Sequence, residues 1–140
     1  MRYWDASAVV PLCVEEAATE FVQGLLEVDR SMVVWWGTPV ECASALARLR
    51  RMGILADAGE EAARELLSVY RRGWTEIQPV SALRERALRL LSVHELRAAD
   101  SVQLAAAVSW AGEVRDGAEL VCLDERLSEA ARREGFRVLG

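Results

Sequence analysis

Four acidic residues stand at the boundaries of predicted elements, where carboxylates can do chemistry. Asp5 follows the apolar stretch MRYW, and Glu41 lies in the stretch TPVECASAL. Asp100 opens the alanine-rich stretch DSVQLAAA, and Asp124 directly follows AELVCL. Carboxylates gathered in one cleft repel each other and partly protonate, and a hard cation such as Mg²⁺ or Mn²⁺ removes that cost. The four acids therefore predict a cation site in which a metal-activated water attacks a phosphoryl group.

Alternating strands and helices must position these acids. The predicted strands cover residues 1–4, 31–36, 75–80, 118–123 and 136–139, and helical patterns fill the segments between them. This alternation predicts one α/β domain over residues 1–140, with a central parallel sheet of four to five strands between two helical layers. Ligands bind such sheets beyond the carboxyl ends of the strands. All four acids are expected at that edge.

Helix capping is the simpler alternative for each acid. Asp5, Asp100 and Asp124 each fit the N-cap of a helix, and Glu41 fits the third position of a capping box that begins at Thr38. A purely structural interpretation then needs four independent caps that converge on one edge. The sequence leaves both roles open for each residue.

The sequence does not contain the residue patterns that other types of catalytic site require. One histidine, His94, has no partner signature for a serine or cysteine nucleophile, and it is expected to be structural. No glycine-rich phosphate loop is present, and a DxD phosphatase would need an acid where Ser7 stands. Cys13, Cys42 and Cys122 are too far apart for a zinc site and are expected to be reduced and buried.

Composition limits the partners and the compartment. The net charge of -5 opposes non-specific nucleic-acid binding. All 17 basic residues are arginine, which pairs bidentately with phosphate, although a codon bias would explain this equally well. The longest apolar runs are far shorter than the roughly 20 residues of a membrane span, and the first residues lack signal-peptide architecture. We therefore expect a cytoplasmic protein that does not enter membranes.

Four motifs together resemble a known nuclease family. They are WDASAVV with Asp5 and Ser7, PVECASAL with Glu41, LRAADSVQLAAA with Asp100, and LVCLDERLSEAAR with Asp124. In this order and spacing they resemble the PIN-domain ribonucleases, and most of all the VapC-type toxins of bacterial toxin–antitoxin pairs. The resemblance covers essentially the whole chain, and LRAAD is its most specific piece.

The resemblance implies a role for each matching residue. Asp5 and Asp100 would ligate Mg²⁺ or Mn²⁺ directly, and Ser7 would support the site. Glu41 would bind through metal-bound waters or orient the attacking water, and Asp124 would complete the charge. The implied activity is metal-dependent endonucleolytic cleavage of RNA by a homodimer. A cognate antitoxin would inhibit it by inserting its tail into the active-site groove.

The chain departs from the family pattern at two places. Cys122 and Leu123 stand before Asp124, where relatives usually carry a hydroxyl or polar residue. Gln103 stands where many relatives have histidine, so this position can form hydrogen bonds but cannot transfer protons. A direct role for Asp124 and a second metal position are therefore open.

Candidate RNA contacts come from four arginines. Arg48, Arg50 and Arg51 lie on the predicted helix that contains Glu41, and Arg97 lies beside Asp100. A plain solvated surface is the alternative for each of them. Two other functions also remain: a PIN-fold nuclease of RNA maturation or DNA repair, and a non-catalytic PIN-fold binding module. Retention of all four acids favours an enzyme.

Overall fold

Five strands and seven helices alternate along residues 1–112 and 117–140, the part of the chain that the computed structural model describes. They are β1 (Arg2–Trp4), α1 (Ala6–Cys13), α2 (Thr19–Val28), β2 (Met32–Trp35), α3 (Thr38–Arg51), α4 (Asp57–Arg71), β3 (Thr75–Ile77), α5 (Ser81–Val93), α6 (Ala98–Ala111), β4 (Glu119–Val121), α7 (Glu125–Arg133) and β5 (Arg137–Leu139). The predicted α/β alternation is confirmed. The strands are shorter than predicted; β3 ends at Ile77, shortly before Pro79, which cannot donate to a sheet ladder.

The strands form one parallel sheet in the order β3-β2-β1-β4-β5. β1 is central: Tyr3 pairs with Val33 of β2 on one side and with Leu120 of β4 on the other. The chain builds the sheet outward from β1 to β3, then returns to place β4 against the free side of β1. The reversal leaves a crevice at the carboxyl ends of β1 and β4, the position where open α/β sheets bind ligands.

Helices cover both faces of the sheet. One core contains Tyr3, Val33 and Leu120 with the buried residues of α5, α6 and α7. The other contains Trp4 and Val34 with those of α1, α2, α3 and α4. Successive residues of a strand thus point into opposite cores, as strand geometry requires. Both faces of the sheet are therefore covered by helices. The result is the predicted three-layer α/β/α arrangement.

The cysteines lie inside this framework as free thiols. Cys42 and Cys122 are buried and Cys13 is half-buried. The expectation of burial is confirmed for Cys42 and Cys122 but not for Cys13. No helix within residues 1–112 or 117–140 combines the length and the apolar character needed to cross a bilayer.

Candidate active site at the carboxyl edge of the sheet

The four predicted acids meet around the β1–β4 crevice. Asp5 directly follows β1, and Asp124 lies just after β4. Glu41 is in the first turn of α3 on one face of the sheet, and Asp100 is in the first turn of α6 on the other. The site therefore draws on all three layers, which is why residues so distant in sequence approach one another.

Burial and mutual repulsion raise the pKa values of three of these acids. Burial raises the pKa of Asp5, and the charge of Asp124 adds to it, against hydrogen bonds from Ser7. Burial, followed by the charges of Asp5 and Asp100, raises the pKa of Glu41 to about 7. Burial and the charge of Asp124 raise the pKa of Asp100. The electrostatic coupling thus joins all four acids in a closed ring.

Asp5 is both the N-cap of α1 and the most buried of the four acids. Its Oδ2 accepts hydrogen bonds from the Ser7 backbone N–H at 3.0 Å and from the Ser7 hydroxyl at 2.5 Å. The Ser7 Oγ in turn accepts a hydrogen bond from the Leu123 N–H at 2.9 Å. Ser7 therefore fixes the Asp5 carboxylate and also links the ends of β1 and β4, in agreement with a supporting place in the site.

Asp124 caps α7, as one sequence interpretation predicted. Its Oδ1 accepts a hydrogen bond from the Leu127 N–H at 2.8 Å, and the residue is exposed. Cys122, two residues before Asp124, donates its S–H to the Asp124 carbonyl at 3.4 Å and lies 3.7 Å from Asp5 Oδ2. Burial, with the charge of Asp5, raises the pKa of Cys122 to about 12, so the group stays a neutral thiol.

Asp100 is not the N-cap of α6, and that prediction is wrong. The helix begins at Ala98, and Arg97, with φ -79° and ψ 164°, is the N-cap. The Asp100 carboxylate instead reaches back from the third helical position and accepts a hydrogen bond from the Arg97 N–H at 3.2 Å. This is the acidic half of a capping box, which holds a half-buried carboxylate at the crevice.

The predicted capping box at α3 is also wrong. Gly37 is the N-cap, and Thr38 is already helical and makes no side-chain cap bond. The Thr38 hydroxyl instead accepts a hydrogen bond from Gln103 Nε2 at 3.2 Å, and the same nitrogen donates to Glu41 Oε1 at 3.2 Å. Gln103 Oε1 accepts a bond from the Tyr3 hydroxyl at 2.7 Å. A buried amide, which sequence reasoning treated only as a departure, therefore positions Glu41.

A polar cleft of about 530 Å³ opens between the first turns of α6 and α7. Asp100 and Asp124 line it together with Arg97, a predicted RNA contact, and Arg126, which the sequence analysis missed. Arg126 could have been noticed from its place two residues after Asp124. Asp100 and Asp124 thus face a cleft that also carries arginines, whereas Asp5 and Glu41 are not among its lining residues.

His94 also lines this cleft. Its Nε2 lies 2.8 Å from Glu134 Oε1, and the side chain is almost fully buried. Because His94 caps the end of α5 and Glu134 follows α7, the contact ties these two helices together. This agrees with the structural role expected from the sequence, although the glutamate partner could not be foreseen.

Three predicted RNA contacts lie elsewhere. Arg48, Arg50 and Arg51 occupy the last turn of α3, whereas Glu41 is in its first turn. At 1.5 Å of rise per residue, their backbones lie roughly 10–15 Å along the helix from Glu41. Arg50 also pairs with Glu60 of α4 at 2.5 Å. The structure therefore does not gather these three arginines around the acids, and it places only Arg97 there.

The donor set fits a hydrated hard cation better than a closed cage. Among the described residues, no three Asp, Glu, His or Cys side chains are placed to hold one ion together. The four acids instead accept local hydrogen bonds while repelling one another through space. Mg²⁺ needs only one or two carboxylates and keeps several waters. Carboxylate oxygens are the kind of donor that such a hydrated ion takes.

Comparison with known proteins confirms the fold. No protein-family model matches the chain, and no curated protein matches it. Among solved structures it is similar to PAE2754 from Pyrobaculum aerophilum, with a TM-score of 0.66 and 20% sequence identity. The similarity covers 99% of this chain and 89% of that chain, so the three-layer architecture is shared over nearly the full length. At this identity the likeness concerns the fold and carries no activity across.

Proposed function

We propose that this protein is a Mg²⁺- or Mn²⁺-dependent endoribonuclease of the PIN-domain type and acts as a VapC-like toxin. The observation that carries the proposal is the convergence of Asp5, Glu41, Asp100 and Asp124 at the switch point of the sheet. Their charges also reach one another across the sheet edge: Asp124 raises the pKa values of Asp5 and Asp100, and Asp5 and Asp100 raise the pKa of Glu41. The motif resemblance around the same residues supports this activity.

Each acid of the site has its own role in the proposed reaction. A bound Mg²⁺ would neutralise charge on the phosphodiester and acidify a water for attack. Asp5, fixed by Ser7, and Asp100, fixed by the Arg97 N–H, would be the direct ligands. Asp124, which is exposed, would contribute charge. These assignments use the hydrogen bonds that hold each carboxylate in place.

Glu41 would bind through waters of the metal or orient the attacking water. The Gln103 amide holds one of its oxygens, which restricts the rotation of the carboxylate. Burial and the charges of Asp5 and Asp100 raise the pKa of Glu41 to about 7 in the metal-free chain, and a bound cation would counter that rise. Gln103 itself forms hydrogen bonds but cannot transfer protons.

Inhibition by a partner follows from the same excess of negative charge. We propose a cognate antitoxin that inserts a basic residue, arginine in particular, among the four acids, and a homodimer as the active unit. A guanidinium would cancel the repulsion that the metal otherwise cancels. Because the substrate is cellular RNA, we place this activity in the cytoplasm.

The direct test is cleavage by the purified chain, free of any partner. We expect single-stranded RNA to be cut with Mg²⁺ or Mn²⁺ and not in excess EDTA. Asp5→Asn should abolish cutting, whereas Glu65→Gln, an exposed acid on α4, should not change it. Cleavage that persists in EDTA would contradict the proposal. RNA binding without cleavage would favour the binding-module alternative, and preferential cutting of DNA would favour a repair nuclease.

A further inference from the structure

Two arginines at the polar cleft are not used in ion pairs. Arg97 precedes α6 and Arg126 lies in the first turn of α7; both are exposed. Neither forms a salt bridge with any residue in the described part of the chain, whereas Arg133 of the same cleft pairs with Glu129 at 2.5 Å. Exposed guanidinium groups that form no salt bridge among the described residues are available to a ligand.

The fold places the two guanidinium groups beside the acids of the cleft. Arg97 is three residues before Asp100, and Arg126 is two residues after Asp124. Since α6 and α7 begin side by side at the carboxyl edge, the two arginines flank the Asp100–Asp124 pair from different elements. Both positive charges act on the Asp100 carboxylate and oppose the effect of its burial. The two guanidinium groups and the two carboxylates therefore share one cleft.

We propose that Arg126, together with Arg97, binds a backbone phosphate of the substrate at the cleavage site. This inference rests on the proposed ribonuclease function. The planar guanidinium matches phosphate oxygens bidentately, and such a clamp is most useful where negative charge grows during phosphoryl transfer. The cleft of about 530 Å³ has room for a phosphate with its sugar.

The acids of the cleft define the type of ligand further. Glu95, Glu125 and Glu129 also line it, so the cleft has more acidic than basic side chains. A free anion would gain little there. The cleft can accommodate a polyanion that contacts both the divalent cation and the two guanidinium groups, because the cation offsets the surplus negative charge. RNA binding should consequently need both the cation and Arg126.

The experiment compares Arg126→Ala with Arg132→Ala, an exposed arginine of the same helix that does not line the cleft. Binding of a labelled single-stranded RNA is measured by fluorescence anisotropy in the presence of Ca²⁺. The salt concentration is varied between about 50 and 200 mM, a range over which the loss of phosphate contacts changes the affinity. Arg126→Ala should bind about tenfold more weakly, as expected for a lost charge-assisted contact. Its slope of log K against log salt should fall by about 0.7. Arg126→Lys should keep the slope and recover part of the affinity.

Cleavage with Mg²⁺ separates the outcomes. Arg126→Ala should lose at least about tenfold in kcat/KM, while Arg132→Ala should match the wild type. If the wild type cuts RNA and both variants bind and cut equally well, the phosphate role of Arg126 is overturned and the nuclease proposal stands. If Arg126→Ala weakens only inhibition by a partner protein, the arginine is a partner contact and the inference is also overturned. A wild type that neither binds nor cuts RNA removes both proposals.

Discussion

Gln103 Nε2 donates a hydrogen bond to Glu41 Oε1 at 3.2 Å and thereby joins α6 to α3 across the end of the sheet. The amide also bonds the Tyr3 and Thr38 hydroxyls, and it is buried with both of them. Helices on opposite faces of a sheet rarely meet directly. This contact sets how far Glu41 lies from the acids on the α6 side.

Replacing that amide should affect both stability and activity. Gln103→Leu leaves buried partners unsatisfied and should cost about 2 kcal/mol or more of unfolding free energy. It should also lower cleavage at neutral pH, since a donor to the Glu41 carboxylate is lost. Tyr3→Phe removes only one hydroxyl of the network and should cost about 1 kcal/mol with cleavage nearly intact. Urea denaturation and initial rates measure these effects; equal activity losses in the two variants would contradict a specific role for the Gln103–Glu41 bond.

The acids should not be equivalent in cleavage. Asp5→Asn and Asp100→Asn are expected to abolish activity, because these carboxylates are the proposed direct ligands. Asp124→Asn should leave measurable activity, since this residue is exposed and its Oδ1 is already used to cap α7. Single-turnover rates with Mg²⁺ give the order. If Asp124→Asn proved the most damaging change, the assignment of ligand roles would be wrong.

Substitution of Asp100 distinguishes a role at the start of the helix from a role in binding the metal. In EDTA, Asp100→Asn should be more stable than the wild type by on the order of 1 kcal/mol, because one repelling charge is gone from a half-buried position. Asparagine keeps an oxygen that can accept the Arg97 N–H. Excess Mg²⁺ should raise the Tm of the wild type and raise that of the variant much less. Equal shifts in both proteins would leave Asp100 only a helix-end role.

Metal-free stability should fall as pH rises through the acidic and neutral range. The pKa of Glu41 is raised from 4.5 to about 7 in the folded chain, so the folded state holds a proton that the unfolded state releases. The unfolding free energy therefore decreases between about pH 4.5 and pH 7 and levels off above. Glu41→Gln should flatten that decrease. Denaturant midpoints in EDTA test the sign, and a Glu41-dependent rise over this window would refute it.

An inhibitory partner should compete with the cation. If an arginine of the antitoxin enters the cleft, excess Mg²⁺ should weaken the complex, and an alanine at that arginine should restore cleavage. Titration of the complex with Mg²⁺, followed by RNA cleavage, measures this. A partner that inhibits fully without any change in metal access would act elsewhere on the surface.

The sequence could predict which acids form the site, but not the strand order and hydrogen bonds that bring them together. The positions of Asp5 and Asp124 follow from strand ends, which local hydrophobic patterns reveal. The strand order that makes β1 and β4 neighbours depends on long-range pairing, and no local signal encodes it. The same holds for Gln103, whose partners come from β1 and α3. The interpretation of Asp100 as an N-cap was wrong because residue type alone does not show that the extended Arg97 holds that position.

The Ser7 hydroxyl, shared between Asp5 and the Leu123 N–H, has a consequence for synthesis on the ribosome. It joins the first strand to emerge with the fourth, which emerges near the end of translation. A nascent chain that stops before β4 already carries Asp5, Glu41 and Asp100, but it lacks Asp124, the pairing of β1 with β4 and the Ser7–Leu123 hydrogen bond. The crevice at the end of β1 is therefore completed only as translation finishes.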